Sequence, residues 1–302
     1  MSIAEIEARE VGLDAPSGLW HDAWRRLRRN HGAITGFVLV GMFVTVAVFA
    51  PLIATHGPRE QNLSLLHGTC CPGPSADHFF GVDALGRDLF SRVVYGARYS
   101  LVIGVVSVAV GLSIGALIGA AAGYLGGWVD SVLMRLMDIM LSIPGLLLAI
   151  GIVAALGPGL GQIMIAVGVT QIPIFARLLR GSILATRESD YVLAARAVGV
   201  KKRSILGAHI LPNSLSPVIV QGTLALATAI IDVAGLGFLG LGPQDPSTPE
   251  WGTMLTDSNE YLASAPYLAI IPCLAIVISV LGFNLIGDAL RESLDPRFRG
   301  RA

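Results

Sequence analysis

The chain has 302 residues, of which 53% are hydrophobic and only 14% charged, with 21 Lys and Arg balancing 21 Asp and Glu. Soluble domains carry about 25% charge, so a globular chain this poor in charge would lack the polar groups to cover its own surface, which argues against a large soluble α/β domain. Mean hydropathy is +0.69, and runs of about 20 apolar residues point instead to membrane-spanning helices.

The first 30 residues are polar, with acids early and WRRLRRN at the end, and do not read as a cleavable signal peptide. Six segments follow that are long and apolar enough to span, at roughly 34–54, 99–123, 132–156, 161–182, 217–241 and 267–288. Gln171 and Pro173 interrupt the fourth, an interruption tolerated inside a bundle when neighbours satisfy the freed carbonyl. In the second, Gly111, Gly115, Gly119 and Gly123 fall on one helix face. Such a stripe lets another helix approach closely; the other reading is a backbone-lined path. Asp130 is expected to cap the third span, and Arg135 and Asp138, three apart, to pair on it. Asn284 and Asp288 are expected to fix backbone or inter-helix contacts near the end of the sixth.

Basic residues set the orientation. Arg25, Arg26, Arg28 and Arg29 precede the first span. Arg177, Arg180, Arg187, Arg196, Lys201, Lys202 and Arg203 surround the loop between spans four and five. Arg291, Arg297, Arg299 and Arg301 follow the last. All three clusters fall on one side of a six-span topology, so that side, with both termini, is expected to be cytoplasmic. The loop 243–266 carries Asp245, Glu250, Asp257 and Glu260 and no basic residue; the loop 55–96 is an exception, with Arg59, Arg87 and Arg92.

The loop 186–213 is the largest on the basic side. Glu188, Ser189 and Asp190 read as a helix start. Tyr191, Ala194, Ala195 and Val198 recur at helical spacing, and Gly199 ends the helix. A second short helix, KKRSILGAHIL, runs to a break at Pro212. A lipid-surface helix would carry bulky anchors on its apolar side; the small Ala194–Ala195 face favours docking into a protein groove, with Arg196, Lys201 and Lys202 able to meet acidic partners or headgroups.

This pattern, Ala194-Ala195, Gly199, then Ile210 and Pro212 with His209 before the isoleucine, resembles the "EAA" loop of permease subunits in ATP-binding-cassette importers. Leu193 stands where that loop is named for a glutamate. GVDALGRDLFSRVVYGARYSL (81–101), MRLMDIMLSIPGLLLAI (134–150), GFLGLGPQDPSTPEWGTML (237–255) and NLIGDALRESLDP (284–296) resemble the dipeptide/oligopeptide importer permeases, most of all the second permease of the pair. Pro243 and Asp245 in the PEWG loop depart from that pattern.

The resemblance implies an all-α polytopic fold, the six-helix type I importer permease. It implies an N-terminal tail, first span and start of the outer loop over 1–80, a permease domain over 81–290 with the coupling loop 186–213, and a C-terminal tail over 291–302. It implies a bacterial inner membrane, a homologous sister permease, two ATPase subunits carrying ATP and Mg, and an extracytoplasmic peptide-binding protein. Tyr191, Ala194, Ala195, Arg196, Gly199, Lys201, Lys202, His209 and Pro212 would then couple to the ATPase. Glu250 and Trp251 would sit at the outer gate or meet the binding protein.

Asp232 lies mid-span, where a bare carboxylate costs about 2.5–3.5 kcal/mol even on lenient scales. It lines the path or partners a polar group on the sister subunit. The Gly86-Arg87-Asp88 turn reads as structural. Cys70 and Cys71 are adjacent and read as free or loosely paired.

The chain has no G-x-x-x-x-G-K-[ST] loop, and Lys201 and Lys202 are its only lysines, so ATP hydrolysis is expected on other chains and none on this one. His21, His31, His56, His67, His78 and His209 are scattered, with no metal-ligand spacing. No Ser-His-Asp set is legible, which disfavours an intramembrane enzyme. The juxtamembrane placement of the basic clusters disfavours nucleic acid and leaves membrane lipids as contacts. Two rivals stay open: the same machine carrying nickel chelates, glutathione, a sugar or haem, and a stand-alone secondary transporter, which would show buried charges and inverted repeats.

Overall fold

The computed structural model describes residues 24–66 and 70–294. The tail calls before residue 24 and after 294, Arg297, Arg299 and Arg301 among them, lie outside the described residues, as do His21, His67 and the Lys202 side chain. Among the described residues there is no strand beyond a single bridge between Val82 and Asp88.

Helix α1 (His31–Val48) is capped by Asn30, whose side chain accepts from the Ala33 amide, and is followed by the short α2 (Ala50–Ile53). The long α3 (Leu89–Leu125) opens at the Asp88 cap. It extends well before residue 99 because Leu89–Arg98 continues the helical pattern into the outer loop. Then come α4 (Gly127–Ser142), α5 (Gly145–Leu156) and α6 (Leu160–Arg187). Short helices α7 (Asp190–Ala197), α8 (Lys202–Ile205) and α9 (Leu211–Ser214) fill the basic loop. The chain ends in α10 (Ser216–Leu236), α11 (Trp251–Ser258) and α12 (Tyr267–Leu294).

Among the described residues five helices are long and apolar enough to cross a membrane, and a sixth crossing exists if α4 and α5 form one broken span. That pair corrects the expectation of one helix over 132–156: its halves are bent by 92°. The cause is local. Pro144 lacks an amide hydrogen and forces the preceding Ile143 out of the helical region, to φ −97 and ψ 128. By contrast α6 runs unbroken through Pro173, and α12 through Pro272.

The glycine stripe on α3 is a packing surface. A Cβ on Gly111 would lie 2.6 Å from Gln171 Cβ, and one on Gly115 2.6 Å from the Ile172 carbonyl oxygen. Gly119 faces Ala176, and Gly123 faces Ile183. The contacts advance together along both helices, so α3 and α6 run in the same direction, at backbone distances that side chains would forbid. This leaves the path reading without support at these four positions. Gly36 of α1 meets Ile286 and Gly282 of α12 with the order reversed, so that pair is antiparallel.

Two predicted contacts on α4 are replaced. Asp130 does not cap its helix but forms a two-pronged ion pair with Arg180, and Asp138 pairs with Arg177 rather than Arg135. Both arginines come from α6, because the bend at Pro144 lays α4 across the end of that helix. Asn284 is half-buried and Asp288 exposed, and neither side chain makes a hydrogen bond or ion pair among the described residues. Cys70 and Cys71 are joined as a disulfide, the paired one of the two alternatives the sequence left open, and Cys71 stands at φ +74.

Candidate functional site

The basic loop folds as two helical pieces about a glycine. Ser189 occupies the N-cap of α7, though its hydroxyl donates to the Thr186 carbonyl instead of accepting from the helix, and Asp190 sits in the first turn. At the other end Gly199 stands at φ +80. Its amide bonds the Arg196 carbonyl at 3.0 Å, and the Val200 amide bonds the Ala195 carbonyl at 3.1 Å. This pair of bonds is the Schellman arrangement, in which a left-handed residue closes the helix. The second piece does not stop at Pro212. The chain widens over Leu206–Ile210 and continues as α9, where Pro212 sits in the first turn and its missing amide hydrogen costs nothing.

The face that α7 presents differs from the expected one. Val192 is fully buried, and Ala195 packs half-buried against the same core. Tyr191, Ala194 and Val198, spaced three and four apart, form the exposed stripe with Leu193 beside it. Ala195 thus turns toward the core beside Val192, while Ala194 stands on the exposed side, so the two alanines do not share one outward face. Arg196 is exposed and donates to the Arg187 carbonyl at 3.4 Å. Lys201, Gly199 and Pro212 are exposed, while His209 is half-buried with its ring 6.5 Å from that of Tyr191. Behind α7 lies a cleft of about 660 Å³, walled by Tyr124, Leu125, Arg187, Arg196 and Val200.

At the opposite end of the bundle, the long loops form a polar cap. Arg87 is buried; its Nε donates to Asp83 Oδ2 at 2.6 Å, Nη1 to the Pro246 carbonyl at 2.6 Å and Nη2 to Asp257 Oδ2 at 3.2 Å. Arg92, equally buried, reaches the Pro58 and Pro246 carbonyls. These two arginines are why the first outer loop breaks the charge rule: they are internal ties between loops. The sequence marked the Gly86-Arg87-Asp88 turn as structural, yet missed the tie to Asp257; the four-residue spacing of Asp83 and Arg87 was the available signal. Asp88 caps α3, its Oδ2 accepting from the Ser91 amide at 2.8 Å. Burial works to raise its carboxyl, but hydrogen bonds from Ser91 and His78 hold it below the ordinary range.

Glu250 and Trp251, expected at the outer gate or against a binding protein, are interior groups of this chain, so their side chains are enclosed and not presented on its surface. Glu250 is 1% exposed and caps α11, accepting from the Gly252 and Thr253 amides, both at 2.8 Å. Burial pushes its carboxyl up to about 7, against the pull of those two bonds. Trp251 donates from Nε1 to the Val93 carbonyl at 3.0 Å and lies against Phe43. The loop folds back over α3, which encloses both side chains. Asp232 on α10 is half-buried, and its side chain makes no hydrogen bond or ion pair among the described residues. The scattered histidines also need correction: His56 and His78 meet at Asp88.

A bundle of apolar helices with small-residue contacts, a helical loop at one end and a polar cap at the other is the architecture of a multi-pass membrane protein. The chain belongs to the family described as binding-protein-dependent transport system inner membrane component, which it matches over residues 115–300. Residues 18–67 match the N-terminal TM domain of oligopeptide transport permease C. The chain is 47% identical over 280 residues to the dipeptide transport system permease protein DppC of Alkalihalophilus pseudofirmus, covering 93% of this chain and 90% of the relative. It is 48% identical over 281 residues to the glutathione transport system permease protein GsiD of Shigella flexneri, covering 93% and 91%. Among solved structures, an inward-facing MetNI methionine ABC transporter chain shares the fold, with a TM-score of 0.57 at 21% identity, over 68% of this chain and 98% of that one. The chain is thus the membrane permease subunit of a binding-protein-dependent importer.

Proposed function

We propose that this permease imports di- and oligopeptides as half of a translocation path completed by a sister permease. It lies in a bacterial inner membrane with both termini cytoplasmic, and two ATPase subunits holding ATP and Mg dock beneath it. A peptide-binding protein delivers cargo at the polar cap. The observation that carries the coupling is the exposed Tyr191–Ala194–Val198 stripe on α7, clamped by the Gly199 turn and flanked by Arg196 and Lys201. A helix end fixed in this way transmits a push from a docked ATPase into α6 through Val192 and Ala195. Hydrolysis belongs to the partners, and this chain supplies the moving walls.

The dipeptide-permease relative supports peptide cargo, and the glutathione-permease relative keeps a tripeptide thiol within range. The experiment is a mild-detergent pull-down of the tagged chain from its native membrane, with its companions identified and ATPase activity measured. A second permease, ATPase subunits and stimulation by short peptides in the presence of the binding protein are expected. Stimulation by glutathione alone would reassign the cargo. A chain recovered alone, with no ATPase, would overturn the reading and make α7 a lipid-surface element.

A further inference from the structure

We infer that His56, His78 and Asp88 form a binding site for a divalent transition-metal cation, of which zinc is the best fit, at the polar cap. The three residues come from separate places: just after α2, the loop before α3, and the α3 cap. Folding brings one ligand atom from each within 4.8 Å of the others. His78 Nδ1 lies 2.9 Å from Asp88 Oδ1, and His56 Nδ1 lies 3.9 Å from Asp88 Oδ2. Ligands at about 2.0–2.1 Å from a tetrahedral zinc stand roughly 3.3 Å apart, so His78 and Asp88 are already near that spacing and the widest separation must close by at most about 1.5 Å to form a coordination shell.

The donor set selects the cation. Two imidazoles with one carboxylate suit zinc, nickel or copper, whereas calcium and magnesium require oxygen-rich shells. The supporting contacts are of the kind that orient metal ligands. Asp88 Oδ2 is held by the Ser91 amide on the side of His56, and Oδ1 faces His78. The two rings stack with centroids 4.6 Å apart, so each restricts the other. The Asp88 side chain is 1% exposed, while His78 at 16% and His56 at 35% leave a route in and room for a fourth ligand. A bound cation would pin the loop 54–88 to the first turn of α3, next to the Arg87 tie that reaches Pro246 and Asp257.

The test uses the full chain purified in detergent with a histidine-free affinity tag, titrated with zinc against a chromophoric chelator. One zinc per chain is expected, with affinity reduced at least about tenfold in His56→Gln and in His78→Gln, since loss of even a supporting contact costs 10- to 100-fold. A variant with Cys70, Cys71 and Cys273 all changed to Ser should bind as the wild type does. Cobalt binding to the wild type should show a tetrahedral visible spectrum without a thiolate charge-transfer band, a readout independent of whether the variants fold. Absence of stoichiometric binding, unchanged affinity in both histidine variants, or loss of binding only in the cysteine variant would each overturn the proposal.

Discussion

Arg180 of α6 grips Asp130 of α4 with both prongs of its guanidinium, Nη2 lying 2.6 Å from Oδ2. The pair links the broken third span to the helix that carries the basic loop. Parallel two-point contact is the geometry in which an arginine–carboxylate bond outperforms an ordinary ion pair. Solvent access still screens it, so a coupling of roughly 0.5–1 kcal/mol is expected. A double-mutant cycle of Asp130→Asn and Arg180→Gln, read by thermal unfolding in detergent, measures it. Strictly additive effects would show that the pair contributes nothing.

Ala194 and Ala195 are predicted to part company. Ala194→Trp, on the exposed stripe, should leave insertion and unfolding temperature unchanged while weakening ATPase docking. Overpacking a fitted surface costs about 1–3 kcal/mol, or roughly 5- to 150-fold in affinity. Ala195→Trp should instead destabilise the chain itself, because that side chain packs on the core. Equal behaviour of the two in co-purification and melting assays would contradict the face assignment.

The parallel contact between α3 and α6 predicts a sharp contrast between glycines. A methyl at Gly115 would meet the Ile172 carbonyl at 2.6 Å and Phe175 Cβ at 2.7 Å, whereas one at Gly151 meets nothing within 4 Å. Gly115→Ala should cost about 1–3 kcal/mol. Gly151→Ala, on an open helix face, should be neutral or stabilising by up to about 1 kcal/mol. Thermal unfolding of the two variants decides.

Glu250 makes stability depend on pH. Its folded value of about 7 lies above the ordinary 4.5, and desolvation is the cause. The folded chain retains the proton between those values while the unfolded chain releases it, so this group's effect on stability falls as pH rises through the interval. The loss is on the order of 3 kcal/mol once pH exceeds about 7. Glu250→Gln keeps an oxygen to cap α11 and removes the charge, so it should flatten the slope between pH 5 and 8 and exceed the wild type at the upper end. A wild-type slope retained in the variant would place the titration elsewhere.

Asp232→Asn separates two uses of the unpartnered carboxylate on α10. Loss of peptide uptake with the complex intact in detergent is the expected outcome for a group facing the path. Normal uptake from a complex that dissociates in detergent would assign the residue to the sister subunit.

Membrane residence, the approximate spans, the basic loop and the Gly199 helix stop were legible in the sequence, because each follows from local rules. Hydrocarbon demands long apolar runs, and only glycine readily accepts the left-handed turn that ends α7. Pro144 likewise carried the signal for the bend in the third span, though its 92° size depends on what the two halves pack against. The motifs pointed to the family that the comparisons then showed. Tertiary structure alone decided which α7 residues face outward, that Asp130 pairs with Arg180 fifty residues away, that Glu250 and Trp251 are interior, and that two scattered histidines share one buried carboxylate. Each depends on segments distant in sequence meeting in space, and local periodicity carries no information about which distant backbone a side chain will find.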